Sequence, residues 1–206
     1  MDVRAVLWDF GDTLCDERWM LSPMEGVPRW ADAWRGVLDR DGLADRWNIG
    51  RVTSADVADA VARALQVSPH RVLAHMQECS RHITFHDVVL GLVAKLALPQ
   101  AIVTVNPDLF TQVVVPTYRL AARFDAIVTS WQEGTANKAD LCQIALSRLP
   151  GAFKPQECLL IDNKRENVAA WERRGGRAVH FESGPALVDR WANLLPEPPS
   201  AISNPQ

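Results

Sequence analysis

The chain has 206 residues, of which 48% are hydrophobic and 23% are charged, and its formal net charge is -3. This composition is typical of a folded chain with one large domain, or with a domain and an insertion, and it excludes a chain that is disordered throughout. The weakly acidic balance lacks the basic footprint of proteins that bind nucleic acid or anionic membranes, so we expect neither partner.

The first residues and the cysteines bear on the cellular compartment. No apolar run is long enough to cross a membrane, and the start of the chain carries Asp2 and Arg4, which is unlike a signal peptide. The four cysteines are widely spaced and form no CxxC pair, which favours isolated thiols in a reducing compartment over a zinc site. We therefore expect a cytoplasmic protein.

Five short apolar runs predict the strands of a sheet. They are Val3–Trp8, Ala101–Val105, Ala126–Thr129, Cys158–Ile161 and Arg177–Phe181. Helical patterns follow the last four strands, at Asp108–Tyr118, Lys138–Leu149, Glu166–Arg174 and Leu187–Leu195. Strands that are apolar on both faces and alternate with helices predict an α/β fold with a doubly wound parallel sheet.

The segment after the first strand breaks this alternation. Residues 16–97 contain no strand-like run, and their apolar residues recur at helical spacing. We therefore predict a helical module at 16–97, inserted between the two parts of an α/β core at 1–15 and 98–195, and a mobile tail at 196–206. Four tryptophans of the module either line a substrate pocket or, as we favour, fill its core: Trp19, Trp30, Trp34 and Trp47.

Polar residues follow the first two strands, at the edge where parallel sheets bind ligands. Asp9 comes directly after the first strand, where it is either a functional carboxylate or part of a turn. Thr104, Val105 and Asn106 end the second strand, and the hydroxyl and carboxamide there can bind an anion or cap the next helix.

Two more charged residues follow the third and fourth strands. Lys138 begins a helix, where negative charge is normally favoured, so it indicates either a nearby anionic ligand or a solvated surface lysine. Asp162 follows the fourth strand and gives the sheet edge a second carboxylate. Hard oxygen ligands of this kind suit Mg²⁺, which usually keeps waters and binds phosphate alongside.

Taken in chain order, Asp9, Thr104, Lys138 and Asp162 follow or end the first four predicted strands. This series resembles the four motifs of the haloacid-dehalogenase-like (HAD) hydrolase superfamily, in particular its phosphatase-like branch with a helical cap inserted after the first strand. The resemblance spans about residues 3–181. It implies a Rossmann-like core with residues 16–97 as the cap domain.

The resemblance implies a role for each matching residue. Asp9 would attack phosphorus and form an aspartyl-phosphate. Thr104, Val105 and Asn106 would bind the phosphate, and Lys138 would neutralise charge on the phosphate and on Asp9. The implied function is a Mg²⁺-dependent phosphatase that hydrolyses a small phosphorylated metabolite.

Two positions depart from the motifs. The superfamily usually has a second aspartate two residues after the nucleophile, which protonates the leaving group and later activates water, but this chain has Gly11 there, with Asp12 as its neighbour. The resemblance implies that Asp9 and Asp162 would bind Mg²⁺ through their carboxylates and Gly11 through its carbonyl. Asn163 stands where a second acidic residue is common.

The glycine leaves alternatives to the phosphatase open. General acid–base help is worth about 10²–10⁴-fold, so a chain without it would favour good leaving groups, or be a weakly active or inactive relative that binds a ligand or partner. The namesake 2-haloacid dehalogenases also lack the second aspartate and need no metal. Asp162 favours the phosphatase over this metal-free dehalogenase, because an acidic metal ligand has no purpose without metal. Nothing in the sequence indicates an oligomeric state.

Overall fold

A five-stranded parallel sheet forms the centre of the computed structural model, which describes residues 2–195. The tail predicted at 196–206 lies outside the described residues. The strand order is β3-β2-β1-β4-β5. The central strands β1, β2 and β4 are buried at every residue, as expected for a sheet that helices cover on both faces. The doubly wound parallel sheet is therefore confirmed. The strands are β1 (Ala5–Trp8), β2 (Gln100–Thr104), β3 (Ala126–Thr129), β4 (Cys158–Asp162) and β5 (Arg177–His180).

Helices connect and cover these strands. A short 3-10 helix at Glu17–Leu21 follows β1 and comes before all the α-helices in the chain. None of the helices within residues 2–195 is both long and apolar enough to cross a membrane. Five lie between β1 and β2: α1 (Trp30–Leu38), α2 (Leu43–Asn48), α3 (Ser54–Leu65), α4 (Pro69–Arg81) and α5 (Asp87–Lys95). The others are α6 (Val115–Thr117), α7 (Ser130–Glu133), α8 (Lys138–Arg148), α9 (Arg165–Arg173) and α10 (Gly184–Leu194).

Two hydrophobic clusters lie on the two faces of the sheet. Alternate residues of β1 point to opposite faces, so Trp8 belongs to one cluster and Leu7 to the other. The Trp8 cluster includes apolar residues of α5 and α10, whereas the Leu7 cluster includes residues of α8 and α9. The sheet is thereby fixed in a dry interior, and its strand ends hold the residues that follow them in defined positions.

A third hydrophobic cluster joins helices α1 to α4. Trp30, Trp34 and Trp47 are buried in it and fill a helical core as predicted. For Trp19 the prediction is wrong, because this residue packs against the Trp8 cluster instead. Leu109 and Val113, which follow β2, complete the cluster. Helix α5, although it falls within the segment predicted as a cap, packs instead with α10 on the sheet.

Two element boundaries differ from the sequence prediction for identifiable reasons. The last pair between β2 and β3 is Thr104 with Thr129, and Ser130 already begins α7, so Val105 has no strand partner and lies in the following loop. The predicted helix over Asp108–Tyr118 contains a π-helix at Phe110–Val114. Pro116 explains it, because proline has no N–H to donate and its ring presses on the preceding turn.

A buried carboxylate fastens the helices after β1 to the segment after β2. Asp108 is 3% exposed and accepts hydrogen bonds from the Ser54 backbone N–H at 3.0 Å and from Trp47 Nε1 at 2.9 Å. The Ser54 hydroxyl also donates to it. Because Ser54 begins α3 and Trp47 lies in α2, one side chain orients both helices against the core.

We expect Asp108→Ala to lower the free energy of unfolding by about 3 kcal/mol, because it leaves buried donors of Ser54 and Trp47 without an acceptor. Asp108→Asn keeps one acceptor oxygen and should cost clearly less. Urea unfolding followed by tryptophan fluorescence measures both variants. Equal stability of Asp108→Ala and the native protein would contradict the structural role of this carboxylate.

Candidate active site

The predicted site residues meet at one edge of the sheet. Asp9 follows β1, Thr104 ends β2 and Asp162 ends β4, on the two sides of β1 where the strand order reverses. This is the position at which doubly wound sheets bind ligands. A cleft at this edge is lined by Asp9, Gly11, Glu17, Thr104, Val105, Asn106, Lys138, Lys164 and Asn167.

A buried lysine joins the two carboxylates of the site. Lys138 is 3% exposed, and its Nζ lies 2.6 Å from Asp9 Oδ1 and 3.0 Å from Asp162 Oδ2. It also donates to the carbonyl of Val103 at 2.8 Å. Lys138 is therefore no solvated surface lysine, and Asp9 is no ordinary turn residue: residues 129 positions apart in the sequence form one ion cluster.

The two carboxylates keep the side chain of Lys138 in its charged, protonated form. Burial alone would lower the pKa of Lys138, but the charges of Asp9 and Asp162 outweigh burial and raise it. Burial raises the pKa of Asp9, the Lys138 ammonium opposes this shift, and the charge of Asp162 adds to it. The ammonium is thus the group that opposes the rise in the pKa of Asp9 at this buried position.

Asp162 is held by partners on both of its oxygens. It is fully buried, and its Oδ1 accepts from the Lys164 backbone N–H at 2.8 Å. Asn167 Nδ2 lies 3.0 Å and 3.1 Å from the two carboxylate oxygens. Asn167, one helical turn beyond Asn163, is therefore the amide that faces Asp162. Asp162 itself does not line the cleft, but it contacts Lys138 and Asn167, which do.

The end of β2 supplies hydroxyl and amide groups to the cleft. Asn106 Nδ2 donates to Thr104 Oγ1 at 2.7 Å, and both residues are buried. Because the Thr104 oxygen accepts this bond, its hydroxyl hydrogen can be directed at an oxygen of a bound anion. Val105 and Asn106 line the same cleft.

Two charged residues of the cleft were not among the site residues predicted from the sequence. Lys164 lies two positions after Asp162, and Glu17 lies at the start of the segment predicted as a cap. Burial raises the pKa of the Glu17 carboxyl, whereas the positive charge of Lys164 opposes the shift. The acidic residues that follow Asp9, at positions 12, 16 and 17, were the signal that could have drawn attention to Glu17.

Asp12, the neighbour of Gly11, has a different task. Its side chain is exposed, and its Oδ1 accepts from the Glu17 backbone N–H at 3.0 Å. Asp12 adopts a left-handed backbone conformation with φ of 53°. Aspartate tolerates this conformation better than most residues. Through its hydrogen bond with the Glu17 backbone N–H, Asp12 ties the loop after β1 to the helix that begins at Glu17.

The fold is shared with solved structures of HAD enzymes. A structure described as a predicted HAD-like family hydrolase from Porphyromonas gingivalis superposes with a TM-score of 0.73 at 17% identity, over 96% of this chain and 100% of that one. A HAD family enzyme from Bacteroides thetaiotaomicron, in complex with magnesium and inorganic phosphate, gives 0.66 at 16% identity, over 88% and 96%. An L-2-haloacid dehalogenase from Xanthobacter autotrophicus gives 0.65 at 20% identity, over 94% and 85%.

No protein-family model matches this chain, and no curated protein sequence matches it. The likeness therefore lies in the three-dimensional fold: the chain has the α/β fold of HAD-like hydrolases.

Proposed function

We propose that this chain, with its HAD-like fold, is a Mg²⁺-dependent phosphatase that hydrolyses a small phosphorylated metabolite through an aspartyl-phosphate on Asp9. The observation that carries the proposal is the buried Lys138 ammonium, which contacts both Asp9 and Asp162 and lines the cleft together with Asp9. The solved HAD enzyme with bound magnesium and phosphate supports it by analogy of fold. A division into a core and a cap at 16–97 belongs to the same proposal.

Each residue of the cluster has a task in phosphoryl transfer. A carboxylate oxygen of Asp9 forms a bond to phosphorus while the bond from phosphorus to the leaving oxygen breaks. Lys138 holds Asp9 in place and offsets the negative charge that gathers on the phosphoryl oxygens, and the Thr104 hydroxyl donates to one of them. Water then attacks the aspartyl-phosphate and releases inorganic phosphate.

The donor set of the site is compatible with one magnesium ion. Mg²⁺ in proteins commonly uses one or two carboxylates and fills its remaining positions with water and phosphate. Asp9 Oδ2 lies 3.5 Å from the Thr13 hydroxyl, a long contact that leaves its lone pairs open to a cation. Asp9 would hold the ion, with the Gly11 carbonyl as a further ligand and with Asp162, whose oxygens here accept from Lys138, Asn167 and the Lys164 backbone N–H, as the second carboxylate. The ion would supply positive charge to the phosphate.

We expect Asp162→Asn to weaken Mg²⁺ binding by at least about 10-fold, because it removes one of two anionic ligands. Calorimetric titration with Mg²⁺ measures the binding directly, and phosphate release at rising Mg²⁺ concentration gives a second reading. Asp189→Asn, the same substitution at an exposed position of α10, serves as the control. Full phosphatase activity in excess chelator would contradict the metal requirement.

A screen of phosphorylated metabolites with Mg²⁺ tests the proposed function. Native protein and the Asp9→Asn variant are assayed side by side for release of inorganic phosphate. Release by the native protein alone supports the proposal. Release by neither protein from any compound would instead fit a relative that binds a ligand without turning it over.

A metal-free dehalogenase is the second candidate, and one observation favours it. The Lys138 ammonium already lies between the two carboxylates, and Asn167 rather than an acid faces Asp162, so both carboxylates already have a cation in contact without a metal. The shared fold with the L-2-haloacid dehalogenase adds support. Chloride release from 2-chloropropionate in the presence of chelator would identify this activity, which the phosphatase proposal excludes.

A further inference from the structure

The space next to Gly11 is filled by the carboxyl group of Glu17. A Cβ atom placed on Gly11 would lie 2.8 Å from both Cδ and Oε1 of Glu17. Gly11 does not have a positive φ angle, so its backbone conformation does not require glycine. The absence of a side chain at position 11 therefore leaves space for the carboxyl group of Glu17, six residues further along the chain.

Three contacts hold Glu17 beside Gly11. The Glu17 backbone N–H donates to Asp12 Oδ1 at 3.0 Å, which fastens the 3-10 helix at Glu17–Leu21 to the loop that carries Asp9. Asp16 caps this helix by accepting from the Arg18 backbone N–H at 2.9 Å. Trp19 packs edge-on against Phe10, with ring centroids 6.2 Å apart. The position of Glu17 is thus set by the same loop that presents Asp9.

Glu17 also has the access that a proton carrier needs. It lines the cleft together with Asp9, Thr104 and Lys138, and it is also exposed to solvent. A group that gives a proton to a leaving oxygen and later takes one from water must reach both the cleft and its water. Glu17 meets this condition, whereas Asp12 does not line the cleft and accepts a hydrogen bond from the Glu17 backbone N–H.

We propose, as an extension of the phosphatase function proposed above, that Glu17 is the catalytic acid–base residue of this site. As Asp9 bonds to phosphorus, the leaving oxygen takes the electron pair of the broken bond and the proton of the Glu17 carboxyl, and departs as an alcohol. The Glu17 carboxylate then takes a proton from water as the water oxygen bonds to phosphorus and the bond to Asp9 breaks. Inorganic phosphate leaves, Asp9 is again a carboxylate, and Glu17 is again protonated.

This role reverses one expectation drawn from the sequence. With glycine at position 11, the sequence alone predicts a chain that prefers good leaving groups. With the Glu17 carboxyl in the place of the missing side chain, the native protein is expected to hydrolyse esters of poor leaving groups as well. The preference for good leaving groups should appear only when Glu17 is changed.

The test compares two aryl esters of similar size, p-nitrophenyl phosphate and phenyl phosphate, in the native protein and in Glu17→Gln. Nitrophenol leaves without a proton, whereas phenol needs one. Loss of the acid should therefore lower turnover of phenyl phosphate by about 10²-fold or more, and should lower formation of nitrophenol in the first turnover far less. Water activation is also lost, so p-nitrophenyl phosphate should give a burst of about one equivalent of nitrophenol before slow turnover.

Matched variants separate a chemical role from a structural one. Glu25→Gln makes the same substitution at an exposed residue and should behave as the native protein. Gly11→Asp combined with Glu17→Ala returns a carboxyl group to the same space and should recover phenyl phosphate turnover relative to Glu17→Ala alone. No gain from the added aspartate would contradict the shared position. Equal losses on both esters without a burst in Glu17→Gln would contradict the acid–base role.

The outcomes also separate this role from the phosphatase function on which it rests. If the native protein hydrolyses neither ester, or if Asp9→Asn is as active as the native protein, the phosphatase function fails and the role of Glu17 fails with it. A second outcome overturns only the role of Glu17. In that case the native protein is active and Asp9→Asn is inactive, but Glu17→Gln matches the native protein on both esters.

Discussion

Asp9→Asn is expected to lower phosphate release by more than about 10³-fold, because a carboxamide cannot serve as the nucleophile. The variant should fold normally. Asparagine has the shape of aspartate, and its carbonyl oxygen can still accept from Lys138, which lies 2.6 Å from Asp9 Oδ1 in the native protein. Lys138 would also retain its contact with Asp162 at 3.0 Å, so no buried charge is left alone.

Two measurements check this expectation. Phosphate release in the presence of Mg²⁺ gives the rate, with Asp189→Asn as the matched control on an exposed face. Mass spectrometry of protein quenched during turnover should detect a phosphoryl group on the peptide that contains Asp9 in the native protein, and none in the variant. Unchanged turnover in a well-folded Asp9→Asn protein would exclude covalent catalysis by this residue.

The convergence of the strand-end residues could be predicted from the sequence because it follows from sheet geometry. Asp9, Thr104 and Asp162 each come at the end of an apolar run, and the ends of parallel strands share one edge. Lys138 could be suspected from its position at a helix start, where a cation is unfavourable unless an anion is near. Its burial between two carboxylates required the structure.

Glu17 could not be placed from the sequence, for a physical reason. Its helix has five residues, too few for a periodic apolar pattern. Its position depends instead on tertiary contacts, chiefly the bond to Asp12 and the packing of Trp19 on Phe10. The glycine at position 11 was visible as a missing acid, but only the folded chain identifies what fills the space beside it.

The end of β2 illustrates the same limit for secondary structure. Val105 continues the apolar run, and local propensity extends the strand through it. The pairing of β2 with β3, however, ends at Thr104 with Thr129, because Ser130 already begins α7. This boundary places Val105 and Asn106 in a loop, where they line the cleft.

Lys138→Met is expected to lower the free energy of unfolding by about 3–5 kcal/mol as well as to abolish phosphatase activity. Methionine keeps an unbranched apolar stem but removes the ammonium. Asp9 and Asp162, both almost fully buried, would then face one another without the cation that lies 2.6 Å and 3.0 Å from them. Breaking a buried ion cluster by removing one member costs far more than the cluster contributes to stability, because a charge is left without a partner.

Neutralising the carboxylates in the same protein provides the control. The triple variant Asp9→Asn, Asp162→Asn, Lys138→Met contains no buried charge in the cluster and should regain most of the lost stability, since replacing a whole buried cluster is often close to neutral. Both proteins should be inactive, so urea unfolding, and not turnover, separates them. Equal stability of Lys138→Met and the triple variant would show that uncompensated charge is not the source of the loss.

The pH dependence of Lys138→Met follows from the pKa of Asp9. That pKa is already raised by burial in the native protein, and Lys138 is the group that opposes the rise, so the variant should raise it further. An acid whose pKa is higher in the folded state than in the unfolded chain binds protons more tightly when folded, and therefore loses stability as the pH rises between those two values. The deficit of Lys138→Met should accordingly be largest at neutral pH and shrink as the pH falls towards the ordinary aspartate value of 3.8, because protonation then removes the unpaired charge. A deficit that stays constant over this range would assign the loss to packing around the methionine instead of to electrostatics.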